Sequence, residues 1–217
     1  METEELAELI KSRRSIRVWQ DKPVPEKLLC DAIELATYAP NGGNQQIWHF
    51  YVIINKDIIK SIADVVQETA DMMVSWPEAA KYGELSIRII QRSAFFRDAP
   101  AAIAVTTSQY ESAIEKMSAE RKDKDPKARD IYEWRQIAQA AIQSVASGIA
   151  YLTLILHQMG LGTTWMTGPM QAKGHIEKIL GVPAGNDLVA FLPVGYPAES
   201  PDLRPRKPVT EVCEVVK

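Results

Sequence analysis

Cysteine and histidine are scarce in this chain of 217 residues, which contains two cysteines and three histidines. Cys30 and Cys213 lie far apart, neither forms part of a C-x-x-C pair, and the histidines do not have the spacing of zinc ligands. We therefore expect no zinc site and no paired redox cysteines. The two cysteines are predicted to be buried or half-buried small apolar residues.

The chain also lacks an excess of charge of one sign and a long apolar run. It has 25 basic and 28 acidic residues, a net charge of −3, which argues against a protein that binds nucleic acid or an anionic membrane. We find no apolar run near the roughly 20 residues that span a bilayer. The N-terminus, METEELAELI, is acidic and amphipathic and resembles no targeting peptide. These features predict a cytoplasmic protein without a membrane partner.

Hydrophobic residues make up 46% of the chain and charged residues 24%, a globular composition that fits one domain over residues 1–217. Apolar spacing predicts helices and strands in alternation along the chain. The predicted helices are 3–11 with Thr3 as N-cap, 25–40, 57–75, a stretch after Gly83, 131–159 and 175–180. The predicted strands are 49–54, 101–107, a short one within 161–169, 188–195 and a strand-like end at 210–216. We expect residues 108–129 to be a solvated linker.

A cationic cluster closes the first predicted helix, in the run RRSIR. Arg13, Arg14 and Arg17 flank Ser15, and each guanidinium presents a fork of donors that matches phosphate oxygens. Because the chain is acidic overall, a small anionic ligand explains this local cluster better than a nucleic acid does. The alternative is that these arginines are solvated charges favoured at the helix C-terminus.

Three further stretches are candidates for a ligand site. Residues 41–44, Asn-Gly-Gly-Asn, allow a backbone to approach a flat or phosphorylated ligand closely, although an ordinary surface turn has the same composition. The segment Thr163–Gly168 presents hydroxyls and backbone amides that can bind a planar heterocycle, or it is a plain strand and turn. In the proline-rich tail, Arg204 and Arg206 alternate and can meet one anion.

Together the four motifs RRSxR, APxxxNxQxWHF, GLGTxWxxG and GYPAE with RxR occur in an order that resembles the nitroreductase family of flavin mononucleotide (FMN) enzymes. The resemblance extends from about Leu6 to the C-terminal arm. It implies an α+β nitroreductase-like fold, a central mixed β-sheet flanked by helices, with a C-terminal arm that extends to the partner subunit. It also implies a homodimer with FMN at the subunit interface.

The resemblance assigns roles to residues at matching positions. Arg13 and Ser15, with Arg14, match the motif that holds the phosphate and ribityl end of FMN, and Arg17 lies near the pyrimidine edge of the ring as an electrostatic tuner. The resemblance further implies that the other subunit contributes the loop over the flavin and that the backbone of the segment after the long helix faces the ring edge near N5. The remaining cofactor-binding residues are Pro40, Asn41, Gly42 and Asn44 in that loop, Trp165, Met166, Thr167 and Gly168 in that segment, and Arg204 and Arg206 in the tail.

The implied activity is an FMN-dependent oxidoreductase that uses NAD(P)H in a ping-pong cycle to reduce nitroaromatics, quinones or a similar electron-poor small molecule. No dedicated acid–base side chain is expected, and no G-x-G-x-x-G motif is present, which fits transient nicotinamide binding over the flavin. Alternatives are an iodotyrosine-type reductive dehalogenase, in which Glu78 and Tyr82 form a lid or a plain surface helix, a flavin-cleaving enzyme, and a non-enzymatic flavin-binding protein. Asn41 replaces a common serine of the family, and Ile47 a proline.

Overall fold

A computed structural model describes residues 2–217, which form eight α-helices and four β-strands within that range. Four short 3₁₀ turns lie between these elements, and a fifth lies in the C-terminal tail. The helices are α1 (Thr3–Ser12), α2 (Glu26–Ala36), α3 (Lys56–Ser75), α4 (Glu84–Gln91), α5 (Ala113–Arg121), α6 (Pro126–Ala138), α7 (Ala140–Gln158) and α8 (Lys173–Leu180). The strands are β1 (Trp48–Ile53), β2 (Ala101–Thr107), β3 (Gly162–Thr163) and β4 (Asp187–Gly195).

The four strands form one sheet in the order β1-β2-β4-β3. All three neighbouring pairs are antiparallel, with Phe50 opposite Val105 and Ile103 opposite Leu192. A mixed sheet was expected, with both parallel and antiparallel pairing. Within residues 2–217 the parallel pairing is limited to an isolated bridge between Ser15 and Thr163. The α+β class and the helices around a central sheet are confirmed.

The two central strands are buried on both faces, and alternate residues therefore serve two separate cores. On β2, Ile103 and Val105 belong to one core, whereas Ala102 and Ala104 belong to the other. Since neighbouring side chains on a strand point to opposite faces, the sheet separates a layer containing α2 and α7 from a layer containing α3 and α8. The predicted wholly apolar strand at 101–107 is thus a central strand.

The predicted helix at 131–159 is wrong as a single element. Gln139 adopts a left-handed conformation, φ 45° and ψ 57°, and divides the segment into α6 and α7. By length and composition Pro126–Gln158 contains an 18-residue window apolar enough to cross a membrane, with a mean hydropathy of 1.4, contrary to our expectation of no such segment. However, Val145, Ile149 and Leu152 of α7 are buried in the core beneath the sheet, so we assign this helix to the core.

Several other predictions need correction. The predicted solvated linker at 108–129 contains α5 and the start of α6. The side chains of Ser112 and Asp125 cap these two helices by accepting hydrogen bonds from backbone N–H groups. The chain end forms a 3₁₀ turn at Val209–Glu211 and not a strand. Both cysteines are exposed. Glu2 and not Thr3 caps α1, forming a reciprocal capping box with Glu5.

Candidate functional site

The RRSIR segment and the segment after α7 lie side by side at the edge of the sheet. Ser15 pairs with Thr163 in the parallel bridge, and the backbone N–H of Ile16 donates to the Thr163 carbonyl at 3.1 Å. The buried Thr164 hydroxyl donates to the Ile16 carbonyl at 2.6 Å. Two of the predicted site segments are therefore brought together within one chain.

Gly162 makes this approach possible. A Cβ atom at this position would lie 2.6 Å from Cγ1 of Ile16 and 2.9 Å from Cγ of Pro197, well inside van der Waals contact. The indole N–H of Trp19 also donates to the Gly162 carbonyl at 2.9 Å. The glycine thus allows three chain segments to pack closely beside the arginine cluster.

The start of the C-terminal tail fixes the backbone around Arg17. Ala198 N–H donates to the Val18 carbonyl at 3.0 Å, and the carboxylate of Glu199 accepts from the backbone N–H groups of both Arg17 and Val18. Charge-assisted bonds of this type are stronger than neutral ones. Glu199, in the GYPAE motif, therefore orients the residue predicted to lie at the ring edge, a role that the sequence analysis did not assign.

The N-terminal arginines and the tail arginine meet in one positively charged cluster. Burial, followed by repulsion from Arg14 and Arg206, lowers the pKa of the partly buried Arg13 guanidinium. Nε of Arg14 is buried without a hydrogen-bond partner, while its Nη1 donates to backbone carbonyls. Among residues 2–217 no carboxylate lies within ion-pair distance of these three guanidiniums, so their charges are uncompensated. Such a cluster is suited to binding an anion.

His157 in the last turn of α7 belongs to the same cluster. Its Nε2 lies 2.9 Å from the hydroxyl of Ser12, the last residue of α1. Burial lowers the pKa of His157, and the charges of Arg13 and Arg14 lower it further. The imidazole therefore favours the neutral form beside the arginines. Sequence reasoning missed this residue because no motif connects residues so far apart in the chain.

An open cleft of about 660 Å³ is lined by Arg17, three residues after Arg14 in the chain, and we call it the Arg17 cleft. Met166 and Gly168 line it together with Arg17, so three of the predicted site residues share one cavity. Met166 is held in place by reciprocal backbone hydrogen bonds with Phe191 at 3.0 Å, whereas the Trp165 side chain is 41% exposed. The opposite wall comes from α4 and the turn that follows it, which contribute Leu85, Arg88, Ile89, Arg92, Ser93 and Phe95.

The loop at 40–44 is not brought to this cleft within one chain. It packs near the first turns of α7, where Gly42 N–H donates to the Ser144 hydroxyl at 3.0 Å and the Ser147 hydroxyl donates to the Pro40 carbonyl. Ser144 lies about 20 Å along α7 from His157, at about 1.5 Å of rise per residue. Asn41 and Asn44 of one chain therefore cannot cover the arginine cluster of the same chain. This separation agrees with the prediction that a second subunit supplies the loop, which stays a prediction.

The tail beyond Glu199 approaches the cluster at one point. Arg206 is close enough to Arg13 to affect its pKa, and its Nη1 donates to the Arg204 carbonyl at 3.3 Å. In the described part of the chain, no hydrogen bond or ion pair ties the Arg204 side chain to the cluster. The phosphate role predicted for both arginines thus has geometric support for Arg206 alone.

Comparison with known proteins places this arrangement in a family. A putative NADH dehydrogenase/NAD(P)H nitroreductase of Methanothermobacter thermautotrophicus is 29% identical over 203 residues, which are 92% of this chain and 81% of that protein. The iodotyrosine dehalogenase 1 homolog of Caenorhabditis elegans is 28% identical over 96% of this chain and 60% of its own length. Iodotyrosine deiodinase 1 of Rattus norvegicus is 27% identical over the whole chain and 71% of that protein.

Solved structures share the fold. A BluB-like flavoprotein from Clostridium difficile 630 superposes with a TM-score of 0.83 at 27% identity, covering all of both chains. An iodotyrosine deiodinase bound to FMN and 3-iodo-L-tyrosine superposes at 0.69 with 21% identity, covering 98% of this chain and 97% of that one, and shows the fold alone. The family model described as "Nitroreductase family" matches residues 10–196. With a model that matches most of its length and a fold that agrees, the chain belongs to the nitroreductase family.

Proposed function

We propose that the protein is an FMN-dependent oxidoreductase that takes electrons from NAD(P)H and reduces an electron-poor small molecule such as a nitroaromatic or a quinone. One observation carries the proposal: uncompensated arginines from both ends of the chain meet just before Arg17, which lines a cleft together with Met166 and Gly168. A phosphate group would relieve the repulsion that Arg13 receives from Arg14 and Arg206. When bound, FMN supplies the redox chemistry by accepting a hydride from a nicotinamide and delivering electrons to the acceptor.

The residues present fit this cofactor. Nε of Arg14 is a buried donor without a partner, and the guanidiniums of Arg13 and Arg206 need an anion to balance their charge. Arg13, Arg14, Ser15 and Arg206 would hold the phosphate and ribityl end. Arg204 remains a proposed second contact of the tail.

Arg17 has a different proposed role. Glu199 fixes its backbone, and its side chain lines the cleft, where a fixed positive charge stabilises negative charge that develops during reduction. The backbone of Thr167 and Gly168 would offer hydrogen-bond donors to the ring edge. The pKa shifts in this region fall on Arg13 and His157, and the proposal requires no dedicated acid or base, because solvent can protonate the product.

We also propose a cytoplasmic homodimer in which each subunit supplies the loop containing Pro40, Asn41, Gly42 and Asn44 to the cleft of the other. Several large apolar side chains on α6 and α7 remain exposed. They are Ile131, Trp134, Ile137, Ile142 and Tyr151. Exposed apolar surface of this extent is typical of an interface between subunits.

Anaerobic rapid mixing tests the activity. The purified yellow protein should lose its visible flavin absorbance when NADH or NADPH is added and recover it when nitrofurazone or menadione follows. The rate of the second phase should depend on the acceptor concentration, as a ping-pong cycle requires. Flavin absorbance that persists in the presence of both nucleotides would indicate a flavin-binding protein without this activity.

One observation favours a second candidate, a reductive dehalogenase of the iodotyrosine type. Glu78, in the 3₁₀ turn Pro77–Lys81, and Tyr82, which follows it, both line a cleft of about 610 Å³ beneath α4. A carboxylate and a phenol in one cleft can bind the ammonium and carboxylate groups of an amino acid. Anaerobic turnover of 3-iodotyrosine compared with nitrofurazone separates the two candidates. Glu78→Gln should impair the turnover of 3-iodotyrosine and leave that of nitrofurazone unchanged.

A further inference from the structure

The wall that α4 presents to the Arg17 cleft has an unusual mixture of side chains. The cleft is lined by Leu85, Arg88 and Ile89 of α4 and by Arg92, the residue that caps its C-terminus. These residues occupy positions i, i+3, i+4 and i+7. Residues at this spacing lie along one face of a helix. We call these four residues the α4 stripe.

The apolar half of the α4 stripe does not contribute to the core. Leu85 is 71% exposed and Ile89 is 64% exposed. Single exposed apolar residues are ordinary, but here two of them lie one helical turn apart on the wall of a cleft that also contains Phe95 and Met166. The cleft therefore offers an apolar surface for a ligand of matching shape.

The cationic half of the α4 stripe makes no direct ion pair, although Glu84 lies one helical turn before Arg88. Within residues 2–217, neither Arg88 nor Arg92 has a carboxylate within ion-pair distance. Glu199 is the one acidic side chain that lines the cleft, and its Oε1 already accepts from the backbone N–H groups of Arg17 and Val18. Three arginines, Arg17, Arg88 and Arg92, thus line one cavity with a single acidic residue whose Oε1 is already hydrogen-bonded.

From this pairing we infer that the α4 stripe binds a small molecule with an apolar or aromatic body and at least one anionic group, a carboxylate or a phosphate. Leu85 and Ile89 contact the body, and Arg88 and Arg92 bind the anion as charged forks. The inference rests on the proposed function, because it adds the class of reactant to the same site. Two reactants have this chemistry: an aromatic electron acceptor that carries a carboxylate, and the phosphate-bearing nicotinamide donor.

Calorimetric titration of the FMN-loaded protein tests the inference directly. The probes are 4-nitrobenzoate and its neutral counterpart 4-nitrobenzamide, and the variants are Arg88→Gln/Arg92→Gln and the charge-preserving Arg88→Lys/Arg92→Lys. We expect the glutamine variant to bind 4-nitrobenzoate about tenfold more weakly or worse, since bonds to charged groups are among the stronger ones. Its affinity for 4-nitrobenzamide should not change, and the lysine variant should recover part of the loss. Lys60→Gln, which removes an exposed charge on α3, is the matched control.

The donor is tested separately through the rate at which NADH and NADPH reduce the bound flavin in the same variants. A loss confined to 4-nitrobenzoate assigns the stripe to the acceptor, and a loss confined to the nucleotides assigns it to the donor. If neither changes by more than the Lys60→Gln control, the inference is wrong. A wild-type protein that binds 4-nitrobenzoate through the stripe but is not reduced by either nucleotide would instead overturn the proposed function.

Discussion

The hydroxyl of Ser12 lies 2.9 Å from Nε2 of His157, which joins the end of α1 to the end of α7. Arg13 and Arg14 follow Ser12 directly, so the same contact places an imidazole beside the proposed phosphate site. Burial and these two charges lower the pKa of His157 below its usual value of 6.5. Between the folded-state pKa and pH 6.5, the folded protein therefore keeps this imidazole neutral while the unfolded chain binds a proton.

This lowered pKa predicts a pH dependence of stability. Because the unfolded state takes up the proton first, His157 costs no stability above pH 6.5, and the free energy of unfolding falls as the pH drops below that value towards the folded-state pKa. Urea unfolding of the flavin-free protein between pH 8 and pH 5 measures the slope. His157→Gln, which keeps a hydrogen-bonding partner for Ser12, should flatten it. An unchanged slope in this variant would remove His157 as the cause.

The hydrogen bonds of Glu199 to the backbone of Arg17 and Val18 give a second prediction, on stability and FMN binding. Glu199→Ala leaves the backbone N–H groups of Arg17 and Val18 without their acceptor and should cost about 1–3 kcal/mol in unfolding free energy. We also expect a lower affinity for FMN, because the Arg17 backbone loses its support. Glu199→Gln keeps one oxygen acceptor and should lose less on both measures. Equal effects of the two variants would show that the hydrogen bonds are not the cause.

The close packing of Ile16 and Pro197 against Gly162 gives a third prediction, on stability. Gly162→Ala places a methyl group 2.6 Å from Ile16 and should destabilise the protein by about 1–3 kcal/mol. Gly174 in α8 is a matched control, because nothing lies within 4 Å of its added Cβ atom. Gly174→Ala should be neutral or stabilising by up to about 1 kcal/mol. Thermal unfolding of both variants tests the pair, and equal shifts would contradict the packing argument.

The exposed apolar residues of α6 and α7 give a fourth prediction, on assembly. Sedimentation equilibrium should give twice the mass of one chain for the wild-type protein. Ile137→Glu and Ile142→Glu place charges at two of these exposed positions and should shift the equilibrium towards the monomer. The same variants should bind FMN more weakly, because a monomer lacks the loop that we assign to the partner. Monomeric variants that retain full FMN affinity would show that one chain completes the site alone.

The sequence predicted most of the fold because its signals were local. The apolar run at 101–107 and the apolar spacing over 57–75 act within a few residues of the chain, and they correspond to β2 and α3. The break at Gln139 was missed because glutamine rarely adopts positive φ and carries no signal for it. The strand expected at 210–216 is absent because this valine-rich segment does not pair with the sheet in this chain and begins in a 3₁₀ turn instead.

For the site, the four motifs predicted which chain segments take part, but not which residues contact one another. The RRSIR and Thr163–Gly168 segments do adjoin, and Arg17, Met166 and Gly168 share one cleft. The contributions of Glu199, His157 and the α4 stripe depend on contacts between distant parts of the chain, which no local pattern encodes. The separation of the 40–44 loop from the arginine cluster likewise became apparent only from its packing on α7.

The central claim is that arginines from both chain ends hold the phosphate of FMN, and titration of the flavin-free protein with FMN tests it most directly. We expect tight binding to wild-type protein, with loss of most of the affinity in Arg13→Ala and in Arg206→Ala. Arg121→Ala, which removes an exposed arginine of α5, should bind FMN normally. Wild-type protein that takes up no FMN, or an Arg13→Ala variant that binds it as tightly as wild type, would contradict the account.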